Sequence, residues 1–152
     1  MPRIRLQTLV PAPVEACFDL SLSIDAHTAS MARSDERAIG AVTSGLLGPG
    51  DSVTWRARHF GIPFTMTSRI VEHEFPHRFV DEQVSGPFGR WWHEHLFEAR
   101  KRGTLMTDVV EFASPLGPLG RIVDRWVLTS YLTRLLTVRN EWLAGNFGRE
   151  PD

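Results

Sequence analysis

Residues 89–112 read Gly89-Arg90-Trp91-Trp92-His93-Glu94-His95-Leu96-Phe97-Glu98-Ala99-Arg100-Lys101-Arg102-Gly103-Thr104-Leu105-Met106-Thr107-Asp108-Val109-Val110-Glu111-Phe112. Side chains alternate between the two faces of a strand. Trp91, His93, His95 and Phe97 therefore share one face, and Trp92, Glu94, Leu96 and Glu98 share the other. Two glutamates mark the second face as solvated, which turns both histidines inward. In the following run Met106, Val110 and Phe112 define an apolar face, and Asp108 lies on it. Arg100-Lys101-Arg102-Gly103 reads as a solvated hairpin tip. A two-residue turn at Lys101-Arg102 sets His95 opposite Asp108 and Phe97 opposite Met106; a four-residue turn pairs Asp108 with Phe97 instead. Directly opposed residues on one face have Cβ atoms about 5 Å apart, within reach of a hydrogen bond.

The same alternation extends backwards from this hairpin. Phe79, Asp81, Gln83 and Ser85 share a side of one strand, and a turn near Gly86-Pro87 brings Asp81 roughly opposite His93. Phe64, Met66, Ser68 and Ile70 share a face of the strand before it, and Val53, Trp55, Ala57 and His59 of the one before that. Gly48-Pro49-Gly50-Asp51 and Gly61-Ile62-Pro63 mark the turns, and Glu36 to Leu46 reads as a weak strand. Consecutive strands with short connections make an antiparallel meander.

Helical patterns flank the meander. Arg3 to Val10 alternates as a strand and is stopped by Pro11 and Pro13. Val14, Cys17, Phe18 and Leu22 then recur at helical spacing, and Ser23 to Met31 continues as a second short helix capped by Ser23 or Asp25. Ser114-Pro115-Leu116-Gly117-Pro118 ends the sheet. Beyond it Leu119, Ile122, Val123, Trp126, Val127, Ser130, Leu132, Leu135, Leu136 and Trp142 fall at steps of three and four. They predict one amphipathic helix to about Asn146, with Thr129, Thr133, Thr137 and Asn140 on its polar face and Trp126 and Trp142 anchoring it to the sheet. The predicted class is α+β: a curved antiparallel sheet wrapped around a long C-terminal helix, with two short helices after the first strand, as one domain over residues 1–152.

The chain has 152 residues, 42% of them hydrophobic and 23% charged, with a formal net charge of -1, so no global field recruits nucleic acid. Its one cysteine, Cys17, allows neither an internal disulfide nor a thiolate cluster. Met1-Pro2-Arg3-Ile4-Arg5 lacks the apolar core of a signal peptide, and no stretch has the apolar length of a membrane span. A cytoplasmic protein without an integral membrane segment is expected.

This order of elements resembles the SRPBCC superfamily, the helix-grip proteins that include START lipid-transfer domains, the birch-pollen-allergen group and polyketide cyclase/aromatase proteins. The local strings that carry the resemblance are Pro13-Val14-Glu15, Gly61-Ile62-Pro63, Glu74-Phe75-Pro76-His77-Arg78-Phe79-Val80-Asp81, Gly86-Pro87-Phe88, Trp92-His93-Glu94-His95, Gly103-Thr104-Leu105-Met106 and Pro115-Leu116-Gly117-Pro118-Leu119-Gly120. They are similar to a bacterial branch of that superfamily. The resemblance implies a cavity between sheet and last helix that holds a hydrophobic small molecule such as a lipid, isoprenoid or aromatic polyketide. It implies no cofactor.

Three functions fit these residues. A carrier needs only the cavity, lined by the inward stripe Trp55, Phe64, Met66, Gln83, Trp91, Phe97, Met106 and Phe112. A cyclase or dehydratase needs an acid–base group, and His93, His95, Asp108 and Asp81 are the candidates, because a carboxylate beside an imidazole fixes its tautomer and raises its basicity. Such pairs also satisfy one another in an ordinary core. An adaptor with a filled core needs an exposed apolar patch, for which Trp92 and Leu96 are the place to look. His93, His95, Asp81 and Asp108, with His59 as the one further histidine, offer N and O donors to a metal, but His-x-His on one strand is common by chance and no metal is expected. A homodimer is compatible with the sequence.

Overall fold

The computed structural model describes residues 2–114 and 117–147. Its strands are β1 (Arg3–Val10), β2 (Arg37–Ile39), β3 (Ser52–His59), β4 (Ile62–Glu74), β5 (Arg78–Ser85), β6 (Arg90–Arg100) and β7 (Gly103–Ala113). Its helices are α1 (Val14–Leu22), α2 (Ile24–Ser30), α3 (Gly117–Val123) and α4 (Thr129–Phe147). The strands form one seven-stranded antiparallel sheet in the order β1-β7-β6-β5-β4-β3-β2. The meander runs from β2 to β7, and β7 closes the sheet by pairing with β1. No described helix is long and apolar enough to cross a membrane.

The hairpin read first has the two-residue turn. Arg100 pairs with Gly103, which puts His95 opposite Asp108 and Phe97 opposite Met106, and β5 puts Asp81 opposite His93. The outward face of this region carries Glu94, whose carboxylate accepts from Arg78 Nε at 2.6 Å; Arg78 Nη2 also donates to Glu72. Gly103 is required at its place. Its φ of +142° disfavours other residues, and a Cβ there would collide with the backbone carbonyl oxygen of Val10. Gly103→Ala is expected to cost roughly 1–3 kcal/mol through backbone strain, read as a lower urea midpoint; a variant as stable as the parent would show that this corner yields freely.

Ser23 caps α2, its hydroxyl accepting from Ala26 N at 3.1 Å, while Asp25 instead accepts from Gly45 N. Helix α1 buries Phe18, whose ring meets His73, Phe75, Phe79 and Phe97 edge-on with centroids 5.1–5.4 Å apart. A second core forms where Leu132 and Leu136 of α4 meet Ile4, Val110 and Phe112.

Several expectations are corrected. The strand over 36–46 shrinks to Arg37–Ile39, because Gly40 and Gly45 take left-handed backbone; Leu46 makes only an isolated bridge to Ser23. The single last helix is instead α3 and α4 joined by a π-helical turn, Asp124–Leu128. A wider turn shifts the helical phase, so the apolar positions before it do not continue the stripe of α4. Leu119, Ile122 and Val127 are exposed, and Trp126, expected to pack on the sheet, is 70% exposed. Trp142 does lie against the core beside Leu143. Asn140, expected on the polar face, is 1% exposed. Pro115 and Leu116, expected to help end the sheet, lie outside the described residues.

Candidate functional site

The concave face of the sheet, α2 and α4 enclose a cavity of about 420 Å³. Most of its lining is apolar, including Trp55, Phe64, Met66 and Trp91 from the sheet and Leu132 and Leu135 from α4. Asp81, His93, His95 and Arg139 form a compact polar wall within it.

The wall is cross-braced. His93 Nε2 bonds Asp108 Oδ1 at 2.8 Å, and His95 Nε2 bonds Asp81 Oδ2 at 2.7 Å. Each imidazole therefore bonds the carboxylate diagonal to it, while the directly opposed legs are longer: 3.8 Å for His93–Asp81 and 3.4 Å for His95–Asp108. Diagonal neighbours on one sheet face are within reach of long side chains. The lean coincides with ring stacking: His93 lies on His95 with centroids 3.7 Å apart, and His95 lies on Phe79 at 4.0 Å.

Helix α4 completes the cluster. Asp108, fully buried, accepts from Arg139 Nη2 at 2.6 Å and from Asn140 Nδ2 at 2.7 Å; Asn140 also donates to Thr8 of β1. Burial alone would raise the Asp108 carboxyl, but the Arg139 guanidinium and the His93 hydrogen bond outweigh it and hold the group well below the usual carboxylate range. Asp81 is likewise held low: burial opposes ionisation, and the His95 hydrogen bond with the charges of His93, His95 and Arg139 overcomes it. Burial, reinforced by the neighbouring His93, pushes His95 down to about 4. A neutral His95 has one proton, and the ionised Asp81 claims it at Nε2. Its Nδ1 is left as a buried acceptor facing Asp108 without a hydrogen bond.

A second polar group lies elsewhere on the cavity lining. Tyr131 of α4 shares a 2.6 Å hydrogen bond with His59 Nδ1 at the end of β3, and His27 bonds Glu36 at 2.7 Å while lying against Trp55. Burial lowers His59 and raises Tyr131. Phe60, in the left-handed backbone region that a bulky residue rarely adopts, rests its ring on Tyr131 at 4.5 Å.

No protein-family model matches the chain, and no curated protein matches it by sequence. Solved structures do. The Zhui aromatase/cyclase from a Streptomyces species superposes with a TM-score of 0.75 at 14% identity, over 95% of this chain and 92% of that one. A Thermus thermophilus protein gives 0.74 at 16% identity, covering 95% and 99%. A major latex-like protein of Panax ginseng gives 0.69 at 14% identity, covering 95% and 96%. The chain has a helix-grip fold.

Within this helix-grip frame the expected acid–base residues Asp81, His93, His95 and Asp108 do converge, although Asp108 sits behind the histidines and not on the cavity lining. Trp55, Phe64, Met66 and Trp91 line the cavity; Phe97, Met106 and Phe112 do not. Phe97 and Met106 are covered by α1 and the end of α4, and Phe112 by Leu132 and Leu136. Gln83 also falls outside: its amide is spent on the backbone of Phe88, bracing the β5–β6 turn. The sequence singles out neither Arg139, Asn140 nor Tyr131 as site residues, and offers His59 only as a further metal donor. Leu132, Leu136, Asn140 and Leu143 share one helical stripe, which is the signal that places Asn140 inward. Asp81, His93 and His95 bring one donor atom each within 4.8 Å of one another. Asp81 Oδ2 already holds His95 Nε2, so a metal ion there would displace that bond.

Proposed function

We propose that this protein binds a small, largely apolar molecule, of the lipid, isoprenoid or aromatic polyketide kind, between its sheet and its last helix. The observation that carries this reading is the 420 Å³ apolar cavity interrupted by one braced polar wall. Ligand pockets are of this size and composition, with a few polar groups fixing orientation. A filled-core adaptor has no use for such a space. Burial of apolar ligand surface supplies roughly 25 cal/mol per Å² before the costs of association. Native mass spectrometry of the purified protein, followed by denaturing extraction, is expected to release one defined apolar molecule in near-stoichiometric amount. An empty protein that also fails to bind hydrophobic dyes and a lipid panel would overturn the reading.

A second reading, acid–base catalysis on the bound molecule, is favoured by the Asp108–His93 bond at the cavity wall. A base works best with a pKa near the operating pH, and His95 at about 4 is too weak for that near neutrality. The role falls to His93, oriented by Asp108. Carriage without turnover leaves binding as the whole function; turnover abolished by His93→Gln with binding retained selects catalysis.

A further inference from the structure

The polar groups of the cavity fall at two stations. On α4 they are Tyr131 and Arg139, eight residues apart, which is about 12 Å of helix rise. On the sheet the same two stations also lie apart along the strands, His59 opposite Ile62 of β4 and Asp81 opposite Ile70. Between the stations the lining is apolar, with Leu132, Leu135 and Leu136 on the helix and Phe64 and Met66 on the strand.

The two stations offer different chemistry. At the first, Arg139 and Asn140 are turned to Asp108, and His95 gives its proton to Asp81 Oδ2. Asp81 Oδ1, on a side chain that keeps 18% exposure, is left as an acceptor. At the second, either tautomer of His59 leads to the same result. If Tyr131 donates to Nδ1, the Nε2–H and a phenol lone pair remain; if Nδ1 donates, the phenol O–H and the Nε2 lone pair remain. One donor and one acceptor stay unspent. Glu36 is near enough for its charge to act on both His59 and Tyr131.

Resting on the reading that the cavity holds an apolar molecule, we propose that this molecule is polar at both ends: a hydroxyl donates to Asp81 at one end, and at the other end of the cavity a hydroxyl or carbonyl oxygen meets His59 and Tyr131. Simple fatty acids are excluded by the same geometry. Their carboxylate meets Asp81 at one station, where the Arg139 guanidinium is already paired with Asp108, and Glu36 at the other, and like charges in a poorly solvated site repel.

The test is quenching of tryptophan fluorescence, since Trp55 and Trp91 line the cavity, by decanol, decanediol and decanoate on the whole chain. Decanediol is expected to bind at least as tightly as decanol, and decanoate about tenfold or more weakly. Tyr131→Phe and Asp81→Asn should each weaken decanediol about tenfold, the cost of a group left without its partner. Decanol, which can use whichever station is intact, should change by less than about twofold. Circular dichroism checks the fold of both variants; if Asp81→Asn fails to fold, Tyr131→Phe decides alone. Decanediol binding that ignores Tyr131→Phe, or decanoate binding tightest, overturns the proposal. Binding of none of the three overturns the apolar-cavity reading itself, a distinct result.

Discussion

Arg139→Met is expected to destabilise the protein by about 3–5 kcal/mol, the usual effect of stripping one partner from a buried ion pair. Asp108 has no exposure and accepts from three donors, of which Arg139 is the only full-time cation. Methionine keeps most of the side-chain volume and removes the charge, so the loss is electrostatic. For a domain of this size it corresponds to a melting point lower by roughly 10 °C or more. The double variant Asp108→Asn/Arg139→Met should recover a large part of the loss, because the buried carboxylate that needed the guanidinium is gone. Urea titrations of the parent, both single variants and the double variant give the coupling directly. A single-variant loss below about 1 kcal/mol would mean that Asp108 reaches solvent after all.

The second large effect is on pH. His95 titrates near 4 in the folded chain and near its ordinary 6.5 when unfolded. Between those values the unfolded chain binds a proton that the folded one refuses, so stability rises with pH across the window and falls on acidification. At about 1.4 kcal/mol per pKa unit, the full loss from this one group is about 3 kcal/mol. His59, also held below its ordinary value by burial, adds to the same limb. Below the window the lowered Asp81 and Asp108 continue the decline, since their contribution is present above the ordinary carboxylate pKa and lost as pH drops through the folded values. Urea midpoints measured from pH 7 to 4 should therefore fall steadily, and His95→Gln should flatten the upper part of that slope. A flat profile from 7 to 5 would show that His95 protonates freely where it sits.

The sheet was legible in the sequence because period-two alternation and turn residues act locally. Lys101-Arg102 before Gly103 marks the hairpin tip but leaves a two-residue and a four-residue turn open; the structure has the two-residue turn, which puts His95 opposite Asp108. The diagonal bonding was not legible, because it depends on ring stacking and on which helix lies behind Asp108. Nor does a strand show which of its inward residues face empty space. Trp91 and Phe97 lie on the same face of β6, and only the seating of α1 makes Phe97 core while Trp91 lines the cavity. Arg139 was missed for a related reason: a charged residue on a helix reads as solvated until a buried carboxylate is found across from it.

The partners of Asp108 come from β6 and from the last helix, while Asn140 also holds Thr8 near the start of the chain. That arrangement has a consequence in time. A carboxylate sealed between strands before its guanidinium arrives keeps only its His93 bond and lacks a cation, which burial penalises, so the sheet around β7 is expected to stay wet until the helix docks. Ionic pairing, expulsion of water and enclosure of the ligand space then occur as one event, late in folding.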